Sequence, residues 1–200
     1  MSSIEALLLL LLAAVPLMGS PGPATMSLAA TGAAFGVRRG VPYLVGIILG
    51  TTVSLLLVAS GVTGMILAIP GVAPFLIAAA AAYILYLAYR IATTPPLAAG
   101  GGEGKKPALL GGLLLAVANP KAYAAIGAVY SSAGPVADRP DLDAALKVAA
   151  LTGVIVVVNA SWMFFGATLG SLLRRPRSAR IINVTFAILL VASVAMSVVM

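Results

Sequence analysis

Asn119, Pro120 and Lys121 stand together inside an apolar stretch, with residues 108–118 before them and 122–130 after. A helix that runs through Pro120 loses one backbone hydrogen bond, and the proline ring clashes with the carbonyl one turn earlier. In lipid the freed carbonyl needs a partner, so irregular backbone at membrane depth survives only where protein or a water-filled cavity covers it. A charge at mid-bilayer costs about 2.5 to 3.5 kcal/mol on insertion scales. Lys121 has roughly ten apolar residues on either side, about half a bilayer of helix, which is far for a lysine stem to climb. A break and a charge at one depth predict a lined path. The plainer alternative is a kinked helix whose lysine extends to the headgroups.

The rest of the chain fits a membrane. Of its 200 residues, 62% are hydrophobic and 8% charged, where a soluble domain carries about a quarter charged. The mean hydropathy is +1.14. Such a chain holds about six spans of some 20 residues and no soluble domain, so one transmembrane domain over 1–200 is expected. Twelve basic residues against five acidic ones give a formal charge of +7. In this context the excess records membrane orientation, and nucleic acid is not expected as a partner. With no Cys and no His, the usual ligands of zinc, haem and iron–sulfur centres are missing. No metal and no other cofactor is expected.

Taken in order, residues 4–18 read as a retained first span, because a secretory leader would open with positive charge and this one offers Glu5. The apolar character runs on to residue 35, and some 30 helical residues would measure about 45 Å against a hydrocarbon core of about 30 Å. The segment must break, and Pro21, Gly22 and Pro23 are the break signal. Arg38 and Arg39 close this part. A second run covers 43–69, Pro70 and Gly71 make a turn, and a third run, 72–91, ends in Tyr83, Tyr86, Tyr89 and Arg90, an interfacial belt. Residues 93–106, rich in Pro, Gly and Ala, read as a linker. After the fourth segment with its Asn-Pro-Lys break come a polar loop over 131–143, a fifth run over 144–173 and a sixth over 181–200. Asn159 and Trp162, three apart, share a face of the fifth run, where Asn159 either bonds another helix or lines the path. The pairs Gly32 and Gly36, Gly46 and Gly50, and Gly166 and Gly170 lie one turn apart, a spacing that lets helices approach closely. Helix packing is the expected role of all six.

Three spans, a linker and three spans make two halves, about 1–92 and 107–200, of opposite orientation. The expected fold is therefore all-α, with six transmembrane helices arranged as two inverted three-helix repeats, the first helix of each interrupted by proline. Interrupted segments in matching places are the best sequence pointer to a transporter's midplane site, and on this ground alone channel, carrier and flippase all stay open. An intramembrane hydrolase would need a buried acid or base, and no Asp, Glu or His lies deep in a span. An enzyme is not expected. Nine of the twelve basic residues fall at 36–42, 90–107 and 173–181, which places those loops in the cytoplasm and both termini outside. The expected path residues are Pro21, Gly22, Pro23, Asn119, Pro120, Lys121, Asn159 and Trp162, with Lys121 as the partner of a substrate carboxylate.

The Pro21-Gly22-Pro23 break, the run through Gly32, Gly36, Arg38, Arg39 and Gly40, the Gly46 and Gly50 pair, the 83–90 stretch, and Gly112 through Asn119-Pro120-Lys121 together resemble the LysE/RhtB family of bacterial amino-acid exporters. The resemblance covers nearly the whole chain. It implies a multi-pass protein of the bacterial inner membrane that exports amino acids or related small metabolites, driven by the proton gradient, with protons and lipid as its other partners. Many members carry an Asp just after the second glycine of the Gly46 and Gly50 pair, where Thr51 and Thr52 stand here. A homo-oligomer is compatible with this plan. The competing class is a non-transporting structural or assembly subunit of a membrane complex.

Overall fold

A computed structural model describes residues 3–71, 108–132 and 139–173, with isolated positions between 74 and 93, at 136, and between 177 and 191. Every regular element among these residues is a helix: α1 (Ser3–Gly19), α2 (Pro23–Ala59), α3 (Val62–Leu67), α4 (Leu109–Val117), α5 (Pro120–Tyr130) and α6 (Pro140–Leu173). Two of them, α2 and residues 140–169 of α6, are long and apolar enough to cross a membrane, and the bent pair α4 and α5 adds a third when taken as one span. Leu8, Leu12, Leu49, Leu56, Val157 and Phe164 are exposed, which suits helices whose outer faces meet lipid. The architecture described is thus all-helical, with two to three spans. The expected third and sixth spans and the linker over 93–106 lie outside the described residues apart from isolated positions, as do Lys105, Lys106, Arg174 and Arg175.

The helix α2 is a hairpin rather than a rod. Its 37 residues would measure about 55 Å if straight, yet Leu28 and Ile47 lie in one buried cluster. The reversal is at Gly36, whose φ of 74° and ψ of 167° leave the helical region. Positive φ is open to glycine at no steric cost. The loop expected over 36–42 therefore shrinks to one residue. Gly36 also differs from its expected packing role, because a Cβ placed there would meet nothing within 4 Å. The second limb, 37–59, stops short of residue 69, since Gly61 turns the chain at φ 77° before α3. The helix α6 starts at Pro140 instead of 144, with Asp141 and Asp143 in its first turn, where negative side chains face the positive end of the helix.

Close packing explains four other glycines. A Cβ on Gly32 would strike the Met163 carbonyl of α6, and one on Gly166 would strike the Ala29 backbone of the first limb. Gly46 meets the Leu109 carbonyl of α4 in the same way, and Gly50 would come within 2.6 Å of the Leu113 carbonyl. The small residues let the two limbs of α2 lie backbone to backbone on α6 and α4. The surroundings of Gly170 lie outside the described residues.

Two buried clusters result. One joins Leu10 and Ala14 of α1, Leu55 of the second limb, Ile126 and Val129 of α5, and Leu151, Val154, Ile155 and Val158 of α6. The other joins Ala24, Leu28, Ile47, Ala116 and Met163. Each long helix runs from one cluster to the other, and some of its polar side chains fall between them: Thr51 and Ser54 lie between Ile47 and Leu55, and Asn159 and Trp162 lie between Val158 and Met163. Both helix breaks open at this boundary.

Candidate functional site

The first break is a short extended turn. Helix α1 ends at Gly19, and Gly22 takes φ −171° and ψ 178° before α2 starts at Pro23. Proline suits the first position of a helix, since that N–H has no helical partner and φ is already set. Thr25 completes the start: its Oγ1 accepts from the Gly22 N–H at 2.9 Å and donates back to the Gly22 carbonyl at 3.1 Å. The second break repeats the pattern. Helix α4 ends at Val117, Asn119 is extended with φ −86° and ψ 103°, and Pro120 opens α5. The bend between α4 and α5 is 59°.

The chain brings the two breaks together. Lys121, in the first turn of α5, reaches across and donates from Nζ to the Ser20 carbonyl in the first break. Its stem lies so near Gly22 that a Cβ there would stand 2.5 Å from Lys121 Cδ and 3.0 Å from Nζ. One residue earlier, the Gly19 carbonyl accepts from Trp162 Nε1 of α6 at 2.9 Å. The last carbonyls of a helix have no partner within it. Here two of them are satisfied by side chains from the second half of the chain.

Between the breaks lies a small, half-open cavity. Gly22, Thr25, Thr51, Asn119, Lys121 and Asn159 supply its polar lining, and Met18, Ala24, Ala122, Ala125, Ile126, Ile155 and Val158 its apolar lining. Lys121 is the one ionisable side chain among them. The first turns of α2 and α5 both open at this cavity, and each leaves N–H groups without helical partners. Two positive helix ends and an ammonium therefore converge on one volume, and among the described residues no carboxylate pairs with Lys121.

Of the eight path residues expected from sequence, Gly22, Asn119, Lys121 and Asn159 line the cavity. Pro21, Pro23 and Pro120 form the breaks without lining it, and Trp162 holds the end of α1. Asn159 borders the cavity, and its Nδ2 donates to the Ile155 carbonyl of its own helix at 2.7 Å rather than to a second helix. Thr25 is a lining residue that sequence reasoning missed, and Thr51, noted there only as standing where many family members carry an Asp, lines the cavity too. Thr51 returns its hydroxyl to the Ile47 carbonyl at 2.8 Å, so it stays buried without a partner from another helix. The signal of Thr25 was a hydroxyl near a break, which the sequence offers at many positions.

Lys147, near the start of the fifth run, is buried. Its Nζ donates to the carbonyls of Tyr130 at 3.0 Å and Ser132 at 2.8 Å and lies 3.2 Å from Asp143. It ties the end of α5 to α6.

Compared with known families, residues 15–200 match the family model of the LysE type translocator. Searches of curated proteins and of solved structures give no match.

Proposed function

The chain belongs to the LysE type translocator family, and on that premise we propose that it exports neutral amino acids or closely related small carboxylates from the bacterial cytoplasm, coupled to the proton gradient. The observation that carries this reading is the reach of Lys121 from one helix break to the Ser20 carbonyl of the other. It makes both breaks walls of one cavity. A carboxylate entering there meets an ammonium and the N-terminal ends of α2 and α5, the ends that favour anions.

The neutral net charge follows from the lining. A lysine or arginine substrate would bring an extra cation to walls without an acidic side chain. Export of a net cation against an inside-negative potential also costs about 2.3 kcal/mol per 100 mV. The inner-membrane setting, the termini outside and the six-span inverted plan belong to the same proposal, supported by the distribution of basic residues.

Purified protein in proteoliposomes, tested for counterflow of labelled amino acids with internal pH recorded, is the direct experiment. Flux of neutral amino acids with a matching pH change is expected. Silence across the panel would defeat the transport reading and favour an assembly subunit.

A further inference from the structure

Asn119 is 5% exposed, it lines the cavity, and its side-chain oxygen has no hydrogen-bond partner. Polar groups elsewhere in the helix bundle are served. The Asn159 amide, the Thr51 hydroxyl, the Trp162 indole and the Lys147 ammonium all reach backbone carbonyls. Buried acceptors without a donor are costly and rare, and each calls for a reason. The Asn119 oxygen is itself closed off, in a residue that borders the volume a ligand is to fill.

Building on the carboxylate reading above, we propose that Asn119 recognises the ammonium of the substrate, so that the ligand is held as a zwitterion with its carboxylate on Lys121. Lys121 now covers the Ser20 carbonyl. A carboxylate that draws the lysine away leaves that carbonyl only the Thr25 hydroxyl, 3.4 Å away, and the site then offers two neutral oxygens, Ser20 O and Asn119 Oδ1. Both accept and neither donates, which suits an ammonium with its three N–H groups. An α-amino acid carries both charged groups on one carbon, and Asn119 and Lys121 stand two residues apart at one helix start. The ligand amine takes the place the lysine leaves.

The test compares each amino acid with the same molecule lacking its amine. Binding to the purified full-length chain is measured for L-alanine and propanoate, L-leucine and 4-methylpentanoate, and L-phenylalanine and 3-phenylpropanoate. The wild type is expected to hold the best amino acid about ten- to a hundredfold more tightly than its desamino partner, the range of a hydrogen bond to a charged group. Asn119→Leu is expected to erase that preference while leaving the desamino affinity within about twofold, because the carboxylate subsite is untouched. Asn119→Ala serves the same purpose where the leucine variant fails to accumulate. Equal wild-type affinities within a pair, or a preference that survives in the variant, would overturn the assignment and leave the carboxylate reading standing. No binding by either member of any pair would defeat the carboxylate reading and this assignment with it.

Discussion

Trp162 of α6 donates its indole N–H to the Gly19 carbonyl at the end of α1, 2.9 Å away and 143 residues earlier in the chain. The contact satisfies a helix-end carbonyl that lipid would leave bare. Trp162→Phe keeps an aromatic ring and removes the donor, so it should cost about 1 to 3 kcal/mol, the penalty of an unpaired buried acceptor. Thermal unfolding in detergent would show it as a lower midpoint. Because Trp162 does not line the cavity, substrate affinity in the folded fraction should stay near that of the wild type.

The glycines separate into two groups with opposite expected effects. Gly166→Ala forces a methyl group into the Ala29 backbone, and the helices must part, at about 1 to 3 kcal/mol for overpacking. Gly153→Ala has nothing within 4 Å of the new methyl and gains up to about 1 kcal/mol of helix propensity. Melting of the two variants side by side should move in opposite directions. A shared direction would mean that the close approach of α2 and α6 does not govern stability.

Gly22→Ala tests the contact between the breaks. Gly22 is extended, a conformation alanine also adopts, so the backbone stands. The new methyl instead meets the Lys121 stem at 2.5 Å, and a flexible side chain yields more easily than backbone. Transport should fall by more than membrane abundance, and Lys121→Ala should do the same with a larger loss. An abundant Lys121→Ala protein that exports at the wild-type rate would remove the lysine from the site.

Orientation is open to chemical labelling, since the chain has no native cysteine. Thr94→Cys should be shielded from an impermeant thiol reagent added to intact cells, and Asp141→Cys should react. The reverse pattern would invert the proposed topology.

Both helix breaks could be read from the chain itself, because proline removes a donor wherever it stands and each break places one at the first helical position. The close-packed glycines were legible for a similar reason: a missing Cβ matters only where backbones meet, and their four-residue spacing marks such a face. Gly36 carried the same spacing with a different purpose, and only its positive φ separates a turn from a contact. The bonds of Lys147 were not legible, because the two carbonyls that hold it become neighbours only after α5 has ended beside α6. The idle oxygen of Asn119 and the bond from Trp162 to Gly19 depend on which atoms meet across the fold. No local pattern encodes either.

Pro23 and Pro120 each remove one N–H that would help stitch one half-helix to the other, so closing either break into a continuous helix would leave a carbonyl bare and set the proline ring against the preceding turn. The gap is written into covalent structure. Whatever shape the protein takes while a ligand crosses, the two helix ends stay open toward it. Closing either gap would cost an unpaired carbonyl in the membrane, so moving whole pieces around a standing gap is the cheaper way to change access.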